Sequence, residues 1–258
     1  MTYAGYFIDL DGTIYQGTKQ FPAGKRFIER LAASDSQYLF VTNNSTKTPA
    51  EVAENLTKNH DIPTTADQVY TSAMATADYL ATLPNVKRVL MIGEIGLRTA
   101  LEAKGFELVS EAPADAVAIG LDREINYEKL VQATLAIQNG AAFVATNVDT
   151  NLPNERGMLP GAGTLVAALR TAVQKDPVVV GKPETIIMNG ALELTGLTAD
   201  QVVMVGDNYN TDIRAGLNAG IDTLLVYTGV STKEQVAQEA QQPTHEVDSL
   251  DDWDIYSD

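Results

Sequence analysis

The chain has 258 residues, with 18 Lys+Arg against 34 Asp+Glu, a formal charge of −16 and 45% apolar residues. That supplies a sizeable core and excludes intrinsic disorder, while the acidic balance argues against nucleic-acid or membrane-surface partners, which attract basic patches. With no cysteine and only two histidines far apart, His60 and His245, thiol nucleophiles, disulfides, Cys–zinc sites and a His-Glu-x-x-His zinc helix are excluded.

Met1–Gly5 has no basic stretch leading into a long apolar one, so no secretory signal is expected and the cytoplasm is the default compartment. No apolar run approaches the ~20 residues that a membrane-spanning helix needs. Tyr6-Phe7-Ile8 reads as a buried strand ending in Asp9-Leu10-Asp11-Gly12-Thr13. After Pro22, Phe27, Ile28 and Leu31 share a helix face. Tyr38-Leu39-Phe40-Val41 is a second strand, ending in Thr42-Asn43-Asn44-Ser45, and Thr48-Pro49 opens the next helix. His60 follows that helix and is read, like His245, as a surface or helix-end side chain. The β-α-β-α order predicts parallel strands with helical crossovers.

A stretch of roughly a hundred residues has its own alternation: strands at 88–93, 116–120 and 143–146, with helices near 97–104, 127–138 and after Gly161-Ala162-Gly163. It reads as a second α/β unit inserted into the first, giving a core at 1–77 and 178–258 and an insert at 78–177. Gly161-x-Gly163 lacks the third glycine of a dinucleotide fingerprint and reads as a closely packed helix start. Gly120-Leu121-Asp122-Arg123 is either a substrate contact or a turn carrying an Asp–Arg pair. The first pattern then returns. Val178-Val179-Val180 ends in Gly181-Lys182-Pro183, Val202–Val205 ends in Gly206-Asp207, a helix stops at Gly220, and Thr223–Tyr227 is a further strand. Asp248, Asp251, Asp252, Asp254 and Asp258 read as a solvated acidic tail. The expected fold class is α/β: a Rossmann-like parallel-sheet core with an inserted α/β cap.

Polar residues therefore stand at the ends of successive strands: Asp9 and Asp11, Thr42 and Asn43, Lys182, then Asp207 and Asp212. In an open parallel sheet, ligands bind beyond the carboxyl ends of the strands, so residues distant in sequence converge there. Carboxylates brought this close repel by about 4 kcal/mol per pair at an effective dielectric of 20, a cost that a divalent cation removes. All-oxygen ligation suits Mg²⁺. A cation, an ammonium, a hydroxyl and an amide together describe a phosphate site. One carboxylate of the Asp9/Asp11 pair can attack phosphorus while the other protonates the departing alkoxide. A phosphate-responsive receiver module and a sugar phosphotransferase or mutase use related parts and stay open. Dehalogenation has no use for the second carboxylate.

Asp9-Leu10-Asp11-Gly12-Thr13, Thr42-Asn43-Asn44, Gly181-Lys182-Pro183 and Gly206-Asp207-Asn208-Tyr209-Asn210-Thr211-Asp212 together resemble the four motifs of the haloacid-dehalogenase-like (HAD) hydrolases. The resemblance implies Asp9 as nucleophile, Asp11 as general acid and base, and Thr42 and Lys182 on the transferring phosphoryl, with Asn43 and Asn44 beside it. It also implies Mg²⁺ held by Asp9, the backbone carbonyl of Asp11 and Asp207, supported by Asp212. The thirty residues Gly12–Val41 leave no room for a large insert, whereas 140 positions separate Thr42 from Lys182. That placement, with Ala145-Thr146-Asn147 and Pro160–Gly163, resembles the NagD-like, 4-nitrophenylphosphatase-like branch. Its members dephosphorylate small phosphorylated metabolites such as nucleoside monophosphates and sugar phosphates. Thr150-Asn151-Leu152-Pro153 departs from the branch by placing no histidine or aromatic side chain in the expected specificity loop. Neither nucleic acid nor membrane is expected as a partner, and a homo-oligomer, a dimer, stays open.

Overall fold

The computed structural model describes residues 3–154 and 156–256, with side chains except those at 153 and 154. Met1, Thr2, Asp258 of the acidic stretch and the Pro153 side chain lie outside this description. In chain order the elements begin with β1 (Gly5–Ile8), a short hairpin of β2 (Tyr15–Gln16) and β3 (Lys19–Gln20), α1 (Pro22–Ala32), β4 (Gln37–Thr42), α2 (Pro49–Asn59) and β5 (Val69–Thr71). There follow α3 (Ser72–Thr82), β6 (Arg88–Ile92), α4 (Ile95–Ala103), β7 (Glu107–Val109), β8 (Ala116–Ile119), α5 (Tyr127–Gln138), β9 (Ala142–Ala145), the hairpin β10 (Asn151–Asn154) and β11 (Gly157–Pro160), α6 (Ala162–Val173) and β12 (Val178–Val179). The chain ends with α7 (Thr185–Thr195), β13 (Val202–Gly206), α8 (Arg214–Ala219), β14 (Asp222–Val226), α9 (Lys233–Val236) and β15 (His245–Val247).

Two compact units result. The first comprises residues 1–42, 50–70 and 182–258; the second comprises 43–49 and 71–181.

The first unit is built on a six-stranded sheet of order β15-β14-β13-β1-β4-β5. β1 lies between β13 and β4, parallel to both. β1 and β13 are buried along their whole length, as continuous apolar runs require when helices cover both faces of a sheet. Phe27, Ile28 and Leu31 of α1 pack with Tyr6, Ile8 and Phe40 in its core. The acidic stretch is not simply solvated. Leu250 and Ile255 are buried in this core, and Asp251 accepts from Arg26 Nε on α1 at 2.9 Å. Gly220 takes the left-handed φ of 70° that stops α8.

The second unit has a five-stranded sheet of order β12-β9-β8-β6-β7 with its own core, which includes Ile92, Val117, Phe143 and Leu169. Two sequence expectations are corrected here. Val178–Val179, expected in the first sheet, pairs with Val144 and Ala145 of β9 in the second. Val180 and Gly181 extend that pairing by donating to Ala145 and Thr146 carbonyls, so the crossing back to the first unit comes after Gly181 and not before residue 178. Helix α3 also belongs to the second unit, which therefore takes in residues 71–77 as well. β5 and β15, each three residues long, were not expected. A Cβ on Gly161 or Gly163 would meet the Asp149 or Val148 carbonyl oxygen at 2.2 and 2.3 Å, so these glycines seat the start of α6 against that backbone. Among the described residues no helix is long and apolar enough to cross a membrane.

Candidate active site

The carboxyl ends of β1 and β13 in the first unit carry the acidic residues that the sequence singles out. Asp9 is the first residue past β1, held in line by its N–H on the Val205 carbonyl at 2.9 Å. The chain then turns: the Leu10 carbonyl accepts from Ile14 N–H at 2.9 Å, and Gly12 adopts a φ of +97°. A side chain at Gly12 would place its Cβ 2.4 Å from Asp207 Oδ2, so glycine is required by both backbone conformation and space. Asp207 follows β13, and Asp212 follows within a wide helical turn over Tyr209–Ile213.

Oxygens of Asp9, Asp207 and Asp212 lie within 4.8 Å of one another. Lys182, 2% exposed, is enclosed with them. Its Nζ donates to Asp9 Oδ1 at 2.6 Å and to the Val41 carbonyl at 2.9 Å, and pairs with Asp212 Oδ1 at 2.7 Å. Asp212 also accepts from Asn208 N–H at 3.1 Å. Asp207 accepts from the Thr13 hydroxyl at 3.0 Å and from Val230 N–H at 2.8 Å.

Burial, then the neighbouring Asp212 charge, pushes the Asp9 carboxyl well above its ordinary pKa, against the pull of Lys182. The same two causes push Asp207 up to about 6, although the Val230 N–H and Thr13 hydroxyl oppose them. Burial alone would lower the Lys182 pKa, but Asp212 and Asp9 outweigh it and hold the ammonium charged. Three carboxylates thus face one ammonium, an excess of negative charge in a buried place. The set is all oxygen, and the burial and mutual repulsion that raise the Asp9 and Asp207 pKa values are costs that a hard divalent cation would relieve; the donors fit such an ion.

Asp11 stands apart. Its carboxyl lies outside the three-carboxylate cluster. Burial of the carboxyl raises its pKa, and a hydrogen bond from Gly17 N–H lowers it. Thr42, the last residue of β4, is buried on the strand beside β1.

Asn43 and Asn44 belong to the second unit. The Asn43 amide donates to Asp149 Oδ1 at 3.1 Å, and its carbonyl accepts from the Ser72 hydroxyl at 2.7 Å and the Asn147 amide at 2.9 Å. Asn44 Oδ1 accepts from Thr46 and Lys47 N–H groups at 2.9 and 3.0 Å, which commits it to the turn before α2. Of the two readings of Gly120–Arg123, the one with an Asp122–Arg123 pair does not hold. Buried Asp122 bonds Lys129 Nζ at 2.7 Å, and Arg123 bonds Glu94 at 2.7 Å.

One segment the sequence reading passed over is the loop after β14. Thr228 donates to the Gly12 carbonyl at 2.7 Å, and a Cβ on Gly229 would lie 1.9 Å from Asp207 Oδ2. Its contribution is mostly backbone; the only signal was a glycine placed just beyond a strand end.

Comparison with known proteins identifies the family and the fold. Residues 6–107 match a family model described as haloacid dehalogenase-like hydrolase, and residues 179–253 one described as HAD-hydrolase-like. The chain is 48% identical over 255 residues to the 5'-nucleotidase YutF of Bacillus subtilis, covering 99% of each. It is 46% identical to an acid sugar phosphatase of Staphylococcus aureus, covering 97% of this chain and 96% of that one. The crystal structure of a double mutant of a thermostable NPPase from Geobacillus stearothermophilus superposes with a TM-score of 0.92 at 49% identity, covering 99% of this chain and 100% of that one.

Proposed function

The chain belongs to the haloacid dehalogenase-like hydrolases and is a phosphatase of their NagD-like branch, and on that footing we propose that it hydrolyses a small-molecule phosphomonoester with Mg²⁺, through an aspartyl-phosphate on Asp9. The observation that carries the reading is the meeting of Asp9, Asp207 and Asp212, with the Lys182 ammonium on Asp9 and Asp212. Nucleoside monophosphates and sugar phosphates are the substrate class that the relatives' names favour.

In this reading the Asp9 carboxylate attacks phosphorus. The new O–P bond forms as the ester O–P bond breaks, and Asp11 gives its proton to the departing oxygen. Asp11 then takes a proton from water, whose oxygen displaces Asp9 from phosphorus and releases phosphate. A raised Asp11 pKa suits a group that must hold a proton first and accept one afterwards. Lys182 and Thr42 counter the charge of the phosphoryl oxygens. Asp9, Asp207 and Asp212, with the Asp11 carbonyl, would hold Mg²⁺, which when bound draws negative charge from the phosphoryl oxygens and lets the carboxylates stay ionised together. The inserted unit is read as the substrate-specificity domain.

The test is phosphate release from a panel of nucleoside monophosphates, sugar phosphates and 4-nitrophenyl phosphate, with Mg²⁺ and after chelation. Multiple turnover that stops on chelation and returns with Mg²⁺ is expected. Activity indifferent to the metal, or a single self-dephosphorylation event as a receiver module would give, would sink it.

A further inference from the structure

The end of α2 is joined to the hairpin that follows Asp11 by an aromatic stack. His60, expected at the surface or at a helix end, directly follows α2 and is 3% exposed. Its ring lies on that of Tyr15, centroids 4.1 Å apart and planes 12° from parallel. His60 Nδ1 is buried without a hydrogen-bond partner among the described residues, so what this side chain offers is its face. Burial lowers the imidazole pKa, which favours the neutral ring. Gln20 Nε2 donates to the Asn59 carbonyl at 2.8 Å, a second tie between hairpin and helix end.

From the hairpin to Asp11 the path is short. The Tyr15 carbonyl accepts from Gly12 N–H at 2.6 Å, and Tyr15 bridges to Asp11 through the backbone. Asp9, Lys182 and Asp207 are held differently, by Val205, Val41, Thr13 and Val230.

We propose that His60 is a positioning residue for Asp11: its stack on Tyr15 seats the hairpin, and the seated hairpin fixes the backbone that carries Asp11 through the Gly12–Tyr15 hydrogen bond and the Asp11–Tyr15 bridge. The inference rests on the reading of Asp11 as acid and base. His60 itself touches no substrate. Loosening the hairpin therefore spares attack by Asp9 and impairs protonation of the leaving oxygen. A 4-nitrophenolate leaves with little help from a proton, whereas an alkoxide needs one.

The experiment compares the full chain with its His60→Ala, His60→Phe and Asp11→Asn variants in Mg²⁺, reading KM and the single-turnover rate of leaving-group release for 4-nitrophenyl phosphate and a simple alkyl phosphate, because the later attack of water is common to both esters. His60→Ala is expected to lower the release rate for the alkyl ester by about tenfold or more, with KM within about twofold and the nitrophenyl release rate within about threefold. His60→Phe, which keeps the stack, restores the alkyl release rate to within about threefold. An equal fall on both esters, or no fall, while Asp11→Asn falls selectively on the alkyl ester, overturns the inference and leaves the acid reading standing. If Asp11→Asn itself falls equally on both, the acid reading is wrong and the inference goes with it. Should His60→Ala fail to fold by circular dichroism, Tyr15→Ala takes its place under the same criteria.

Discussion

Lys182 Nζ sits 2.6 Å from Asp9 Oδ1, joining residues 173 positions apart in the chain. The pair places the proposed nucleophile against a permanent positive charge. Asp9→Asn keeps the shape and the hydrogen-bonding capacity but removes the attacking oxygen's charge. Turnover is expected to fall by at least about 10³-fold while the far-ultraviolet spectrum is unchanged. A phosphate-release assay checks this, and hydrolysis within tenfold of the parent would refute the assignment.

Replacing Lys182 by Met leaves Asp9 and Asp212 facing each other in a buried site. Removing one partner of a buried ion pair costs about 3–5 kcal/mol, and urea unfolding at neutral pH is expected to show a loss of that order. The loss should shrink as pH falls, because protonated carboxyls no longer need the ammonium. A variant as stable as the parent at neutral pH would mean that the two carboxylates are neutralised by something else.

The pKa of Asp207, raised to about 6 in the fold, makes the metal-free protein sensitive to mild alkalinisation. A carboxyl whose pKa is higher folded than unfolded binds more protons in the folded state, so its contribution is complete below about pH 4 and is lost as pH rises through about 6. Asp9 shifts in the same direction. The increase in melting temperature on adding Mg²⁺ is therefore expected to grow between about pH 5 and pH 7, where the ion relieves the repulsion. Thermal melts with Mg²⁺ and with chelator across that range check it; an increment that is flat with pH would contradict it.

Gly229→Ala forces a methyl group onto Asp207 Oδ2, which lies 1.9 Å from the ideal Cβ position. Asp207 must move, and the Mg²⁺ concentration giving half-maximal activity is expected to rise by about 10- to 100-fold, the range seen when groups that orient metal ligands are altered. A metal titration of activity, paired with calorimetric titration of Mg²⁺, measures this. Unchanged metal affinity would show that the loop after β14 does not set the position of Asp207.

Much of the site was legible because each of its parts directly follows a short apolar run. Ile8, Val41 and Val205 end the apolar runs of parallel strands and are buried, and the parallel order then puts Asp9, Thr42 and Asp207 at one edge of the sheet. Val178–Val179 misleads for the same reason: a two-residue valine strand suits either sheet, and only hydrogen bonding to β9 decides between them. Asn44 illustrates another limit. An asparagine beyond a strand end can face a ligand or close its own turn, and here Oδ1 closes the turn. The loop at 228–231 shows in the sequence only through Gly229, because a backbone N–H, the Val230 group on Asp207, has no side-chain signature. His60 escaped through composition: an isolated histidine after a helix carries no periodicity that marks it as buried.

The position of β1 between β13 and β4 has a consequence for synthesis. Residues 71–181 are continuous and can close their own sheet as soon as they leave the ribosome. β1, made first, can pair with β4 early, but its other flank waits for β13 while the whole intervening unit is translated. During that interval an apolar strand offers an unpaired edge to any neighbouring nascent chain. The acidic cluster is assembled only after residue 212 emerges, and the Val230 N–H that holds Asp207 follows later still.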